Sequence, residues 1–494
     1  VVYRVEVFIP RFNSSRIFEG RIYFNPQTKG DTANILVGPF VEQVTPTSAV
    51  IFWETDREAD SLVRLRSAEG KSEAAGIAAK RAGMNGPHAF QYEAVISGLE
   101  PGSRYLYSVR TGDTQTREYS FATPLADVSK FEFATMVDCR EAVAGGAQAL
   151  YGVAGESLYR LGSDAYFRGA EFVLFAGDLI NGYTTDVQDF RNMLDSFRRM
   201  MGPVNARIPV YESIGNHEAL LDTFDDGSRY GLSFDKQGAD SAEVVFGDAF
   251  CNPDNGPESE GAGTPSYREN VYSFDHGNSR FFMLNNNYWW SSDPHGYGGN
   301  LEGYFLPAQL KWLRERVAEA DQDPKIKHLF FAAQEPIFPN GGHVDDAMWY
   351  NGGDTNGDGK IDVADVPIVE NRNEIWEIVA GSPKSVAFIT GDEHAYCRLI
   401  VAKDTNVGHK RKTDGTEANF KYPVWQITSG GAGAPWYDQD KSLPWTPFVK
   451  KHSTQPHYAF FRVDGDNVTV EAYSETGQRI DQAAIRKGGA NLSE

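Results

Sequence analysis

The chain has 494 residues, 41% of them hydrophobic, and 47 basic against 68 acidic residues give it a net charge of −21. That length points to two or three domains rather than one core, and the charge argues against non-specific binding to nucleic acid or anionic membranes. No apolar run approaches the roughly 18 residues of a membrane helix, and the three cysteines, Cys139, Cys251 and Cys397, form no metal spacing and at most one disulfide.

The chain begins on Val1, as expected of a removed signal peptide or a trimmed start. Residues 1–35 carry an alternating run over 3–9 that reads as a strand, then a turn or linker over 27–31. Residues 36–124 read as a small β-sandwich, with strands over 48–54, 92–96, 105–110 and 119–124 and Trp53 suited to its core. Its Gly98-Leu99-Glu100-Pro101-Gly102 turn and the following Tyr105-Leu106-Tyr107 resemble a fibronectin type III-like domain. No cluster of ligand-type side chains appears there, so a spacer is expected.

From 125 to 494 the rhythm becomes strand, loop, helix, which argues α/β. A strand over 131–137 ends in Asp138-Cys139-Arg140, and a helix is expected from about 141 to 169. A strand over 172–176 ends in Gly177-Asp178, a helix follows over 186–201, and a strand over 208–214 ends in Gly215-Asn216-His217-Glu218. Residues 222–270, rich in Asp, Gly, Ser and Pro, read as a long surface excursion. A hairpin is expected over 271–284, around His276-Gly277-Asn278. The Asn-, Tyr-, Trp- and Gly-rich stretch 285–300 reads equally as a rim that grips a ligand or as anchors for a loop.

Leu310, Leu313 and Val317 form the apolar stripe of a helix over 307–320. The strand over 326–333 ends in Gln334-Glu335-Pro336. A helix over 370–380 and a strand over 385–390 lead into Gly391-Asp392-Glu393-His394, and further strands follow over 423–429, 457–463 and 467–473. Five apolar strands therefore end in polar groups: Asp138 and Arg140, Asp178, Asn216 and His217, Gln334, and Asp392 and His394. In open α/β sheets the carboxyl ends of strands are where sites are built.

In this order the five strand ends resemble the motifs of the calcineurin-like metallophosphoesterases, within them the purple acid phosphatase-like group. Ala395-Tyr396-Cys397-Arg398 fits the extension of the last motif, and Gly38-Pro39-Phe40-Val41 with Pro46-Thr47-Ser48-Ala49-Val50 looks like that group's N-terminal domain. The resemblance implies a multidomain chain, an N-terminal β-sandwich followed by a four-layer α/β/β/α metallophosphoesterase domain. It also implies two cations clamping a transferring phosphoryl group. One would take Asp138, Asp178 and His394; the other would take Asp178, Asn216, Gln334 and Asp392. Arg140 stands where the family often has His, and a guanidinium cannot ligate a cation. Gln334 and Asp392 stand where it has histidines, which leaves one or two divalent cations in an oxygen-rich set that suits Ca²⁺, Mg²⁺ or Mn²⁺ better than iron or zinc.

The implied activity is hydrolysis of a phosphate monoester or diester. Arg140 would hold phosphate oxygens, His217 would be the acid, Asn216 would stand beside it, and a cation-activated water would attack. The alternative is a relative that has lost catalysis and keeps a binding, surface or assembly role, with Arg140 paired to Asp138. Protein partners and oligomeric state are not legible.

A second metal signal is independent. Asp354, Asn356, Asp358, Lys360, Asp362 and Asp365 take the ligand positions of an EF-hand loop over 354–365, with Gly359 at the sharp turn. Aspartate at the last position resembles the dockerin variant. Calcium there would suit a secreted, periplasmic or cell-surface protein. His295 and His343 could reach phosphate from a rim, with ordinary loop histidines as the alternative, and Cys139 reads as a small buried filler.

Overall fold

Period-two alternation builds the first domain and continuous apolar runs build the second, because a strand buried on both faces has no polar side. In this computed structural model the described residues are 2–9, 14–21, 24–25, 30–70, 75–140, 151–223, 232–235, 238–262, 264–288, 303–342, 356, 358, 360, 362 and 366–492. Strands Val2–Ile9 and Ser14–Arg21 pair as an antiparallel ribbon. Next comes a sandwich of two sheets. One orders Ile35–Glu42, Ser48–Thr55, Phe90–Ser97 and Lys80–Met84; the other is built around Arg104–Thr111 and Ser61–Ser67. Trp53 fills its core as expected, stacked on Tyr92 at 5.7 Å and donating to Thr111 Oγ1 at 3.0 Å.

Two seven-stranded sheets make the rest of the fold. In the first, Val210–Glu212, Val173–Phe175 and Lys130–Met136 run parallel, and His457–Asp464, Asn467–Ser474 and Arg479–Lys487 continue it antiparallel. In the second, Ser279–Met283, His328–Ala332, Ser385–Thr390 and Val424–Ser429 run parallel, with Tyr272–His276 at one edge. Alternation sorts their side chains. Phe281, Phe330 and Ala387 meet Phe133, Phe172 and Phe461 of the first sheet in one core cluster. Phe282, Phe331 and Phe388 turn the other way, onto helices Pro307–Gln322 and Val366–Val379. Met136, Phe175 and Val210 likewise pack against helices Gly155–Phe167 and Val187–Asn205. Phe133 stacks on Phe461 at 4.7 Å and meets Phe330 edge-on at 5.2 Å, so an aromatic seam joins the two sheets.

Two expectations need correction. The first helix is shorter than 141–169; it spans Gly155–Phe167, and 141–150 lie outside the described residues. The stretch 222–270 is not all surface excursion, since Ala242–Ala249 is a helix whose Ser241 hydroxyl caps Val244 N at 3.3 Å. Val245, Phe246 and Phe250 reach the core beside Phe197; an apolar run of helical period outweighs the Gly- and Asp-rich flanks. No helix among the described residues is long and apolar enough to cross a membrane.

Buried polar contacts tie the sandwich to the second domain. Tyr107 donates to Ala206 O at 3.0 Å, and Asn205 Nδ2 donates to Glu42 Oε1 at 2.9 Å.

Candidate active site

The parallel strands Lys130–Met136 and Val173–Phe175 of one sheet, and His328–Ala332 and Ser385–Thr390 of the other, deliver the expected residues to one place. After the strand ends the backbone turns sharply. Asp138 (φ 63°), Asp178 (φ 53°), Asp392 (φ 64°) and His394 (φ 36°) all adopt the left-handed region, a conformation that costs residues with a Cβ roughly 1–3 kcal/mol each and clusters at functional sites. Two glycines let the backbone close in. A Cβ on Gly215 would stand 2.3 Å from Asp178 N, and one on Gly430 would stand 2.3 Å from Asp138 Oδ2.

Asp138, Asp178 and His394 are buried, and their ligand atoms lie within 4.8 Å of one another. Neither carboxylate oxygen of Asp138 makes a hydrogen bond of good geometry among the described residues, the backbone N–H of Asp392 acting on it only weakly against burial. Burial, then the charges of Asp178 and Asp392, push its carboxyl well above the usual range. His394 Nδ1 lies against the carbonyl of Pro435 and its ring stacks on Tyr437 at 4.8 Å. A carbonyl only accepts, so Nδ1 carries the proton and Nε2 offers a lone pair. Two buried carboxylates and an imidazole lone pair, one carboxylate making no hydrogen bond of good geometry, fit a divalent cation.

Asp178 Oδ1 accepts from His217 N at 3.1 Å, while Oδ2 lies 3.9 Å from both Arg140 Nε and His217 Nε2. Arg140 thus pairs with Asp178, not with Asp138 as the non-catalytic alternative expected. His217 Nδ1 is 2.7 Å from Asn181 O, so the same tautomer argument turns Nε2 toward the site. Tyr183 meets the His217 ring edge-on at 4.6 Å, and its hydroxyl accepts from Asn216 Nδ2 at 3.0 Å.

The four residues expected at a second cation are together but differently turned. Gln334 Nε2, rather than its oxygen, faces Asn216 Oδ1 and Asp392 Oδ1, each at 3.2 Å. Gln334 Oε1 points away and accepts from Asn287 Nδ2 at 3.0 Å.

Several supporting residues were not foreseen. Glu218 turns inward and not to the site. It accepts from the backbone N–H groups of Asp178, Leu179, Ile180 and Gly215 at 2.7–3.2 Å, and burial with the Asp178 charge pushes it up to about 8 against those bonds. Glu393 plays the same part for Asn340 N at 2.6 Å. Asn285, Asn286 and Asn287 are buried and brace the Gln334 loop, Asn286 through Glu335 N and O at 3.2 and 3.0 Å. The signals were present as a Glu inside each motif and as three consecutive Asn directly after a strand. Cys139 is a filler, its thiol buried and donating to Leu179 O at 3.1 Å. His295 and His343 lie outside the described residues.

In the 354–365 loop, Asp358 N donates to Asn356 Oδ1 and Lys360 N to Asp358 Oδ1, both at 2.9 Å, and Asn356 Nδ2 to Asp362 Oδ1 at 3.2 Å. Asp354 and Asp365 lie outside the described residues.

Residues 40–123 match the family model of the purple acid phosphatase N-terminal domain. No curated protein matches the chain. Among solved structures, that of PhoD is 13% identical, with 92% of this chain and 93% of that one covered at a TM-score of 0.57. A dimetal phosphatase from Danio rerio is 14% identical over 72% of this chain and 98% of its own, TM-score 0.40. GAP50, the anchor in the inner membrane complex of Plasmodium, is 11% identical over 74% and 90%, TM-score 0.35. The chain therefore carries a β domain similar to the purple acid phosphatase N-terminal domain, and its fold is like that of PhoD.

Proposed function

We propose that the protein is a metal-dependent phosphoesterase that hydrolyses a phosphate monoester or diester. The convergence of Asp138, Asp178 and His394, with two buried Asp138 oxygens that make no hydrogen bond of good geometry among the described residues, carries this reading. A divalent cation held by those three residues would supply Lewis-acid polarisation and charge neutralisation at the phosphoryl group.

The chain's own groups do the rest. Arg140 keeps 12% of its side chain exposed beside Asp178, and its planar donors match phosphate oxygens. When the His217 ring is protonated on both nitrogens, Nε2, the one left facing the site, gives its proton to the leaving oxygen as that P–O bond breaks, and regains one from the incoming water. Asp178 stabilises the protonated ring from 3.9 Å. Asn216 and Tyr183 hold that ring's surroundings in place. Outside the centre, the 354–365 loop takes Ca²⁺, and its side-chain-to-backbone turns support that assignment. Such a loop would suit the millimolar calcium found outside the cytoplasm, which supports a protein that is secreted, periplasmic or on the cell surface.

A non-catalytic relative is the second reading, and the Arg140–Asp178 pair favours it, since the guanidinium neutralises a carboxylate the cation would share. Turnover of aryl phosphate monoesters and diesters with Mg²⁺, Mn²⁺ or Ca²⁺ decides. Activity that Asp178→Asn and His217→Ala abolish supports the enzyme; wild-type protein inert to every ester and metal overturns it.

A further inference from the structure

We propose that the centre holds one cation, at Asp138, Asp178 and His394, and that the Gln334 carboxamide fills the neighbouring position as a hydrogen-bond donor in place of a second. This rests on the reading above only in taking those three residues as a cation site.

The orientation of the amide carries the inference. Gln334 is fully buried, and its NH₂ sits between two oxygens that would otherwise face a cation, Asn216 Oδ1 and Asp392 Oδ1. A bound cation needs oxygens pointed at it; here the group between them is a donor. The amide is held from behind. Asn287 Nδ2 takes Gln334 Oε1 at 3.0 Å, Asn287 N donates to Asn285 Oδ1 at 2.8 Å, and Asn285 N donates to Gln309 Oε1 at 2.9 Å. Asn285, Asn287, Gln309 and Gln334 are all buried, so water does not compete for these bonds.

Asp178 agrees independently. Its Oδ1 accepts from His217 N at 3.1 Å and its Oδ2 faces Arg140 Nε and His217 Nε2 at 3.9 Å, so protein nitrogens already stand beside both oxygens.

The test uses the full chain carrying Asp358→Ala and Asp362→Ala, which remove ligands of the 354–365 loop, loaded with Mn²⁺ alone so that only the centre is counted. Manganese per chain is counted by equilibrium dialysis, and the ion is observed by electron paramagnetic resonance. The expected result with Gln334 in place is one manganese with an isolated six-line spectrum, lost in Asp138→Asn. Gln334→Glu keeps the shape but turns the donor into an acceptor, and it should raise the count to two with a spin-coupled multiline spectrum. Gln334→His is the second variant should the first not fold. Two coupled manganese ions with Gln334 in place overturn the proposal and leave the phosphoesterase reading standing. No manganese at the Asp138 group overturns both. A folded Gln334→Glu or Gln334→His that still holds one ion overturns the role given to Gln334.

Discussion

Arg198 of the Val187–Asn205 helix lies 2.8 Å from Glu54 of the sandwich, with 1% and 0% of the two side chains exposed. Arg198 also reaches Asp195 at 2.9 Å, and Glu54 accepts from Gln91 Nε2 at 3.0 Å. Removing one partner of a buried ion pair costs about 3–5 kcal/mol where the other is left uncompensated. Glu54→Ala leaves Arg198 with Asp195, so it should destabilise the junction by somewhat less than that. In calorimetry the variant is expected to split the unfolding of the sandwich from that of the second domain. A change under about 1 kcal/mol would show that the two domains do not depend on this pair.

Neighbouring residues of one motif should separate structure from chemistry. Glu218 accepts four backbone N–H bonds, and Glu218→Gln sets an NH₂ group against those donors. Stability should fall by about 1–3 kcal/mol per unsatisfied group, with activity lost as a consequence. His217 is partly exposed, so His217→Ala should remove turnover at nearly unchanged melting temperature. Equal melting losses in both variants would contradict the division of roles.

The five strand ends are legible in the sequence because each joins an apolar run, a turn and a polar residue within a few positions. The orientation of those residues is not. That Glu218 turns inward, or that Gln334 presents nitrogen rather than oxygen, depends on Asp178, Asn287 and Asn285, which come from other strands. Gly430 escapes for the same reason. Nothing local to it announces that Asp138, almost three hundred positions earlier, will need the space. Likewise the Ala242–Ala249 helix is hidden by its flanks, and the Glu54–Arg198 contact joins residues with no shared periodicity.

Gly430 supplies a further prediction. A Cβ there would stand 2.3 Å from Asp138 Oδ2 and 2.8 Å from His394 N. One contact is with backbone and the other with the carboxylate assigned to the cation, so neither yields without moving the site. Gly430→Ala should weaken metal binding at least tenfold, read by titration with Mn²⁺, while Gly76→Ala, with nothing within 4 Å of its Cβ, should leave it unchanged.

Stability should decline on the alkaline side. Glu269 is pushed from 4.5 to about 8, by burial first and by Glu93, against the pull of Arg268. Burial likewise raises Glu42 and Glu212 at the domain junction. With a folded value above the unfolded one, the native state binds more protons between 4.5 and about 8. The stabilisation is complete at the acid end and is lost as pH rises through that window. For Glu269 it is on the order of a few kcal/mol. Denaturant unfolding at a series of pH values should show the decline, and Glu269→Gln should flatten it. An unchanged slope in that variant would assign the decline elsewhere.

Arg140 decides whether the site still handles phosphate. Its Nε is 3.9 Å from Asp178 Oδ2 and has no hydrogen-bond partner among the described residues, so its contact with Asp178 is one of charge rather than a fixed bond. If it serves as a two-pronged phosphate donor, Arg140→Lys keeps the charge but loses the fork. The loss of a charged hydrogen bond, about 1.5–3 kcal/mol, corresponds to roughly a 10- to 100-fold fall in kcat/KM. Arg140→Met should fall further and lose inhibition by inorganic phosphate. If Arg140 serves instead only to neutralise Asp178, the lysine should match the wild type, and Arg140→Met should bind Mn²⁺ more tightly, because the carboxylate then has no competing cation. Phosphate inhibition and manganese affinity move in different variants under the two roles, so measuring both on Arg140→Lys and Arg140→Met assigns the residue whether or not turnover is high.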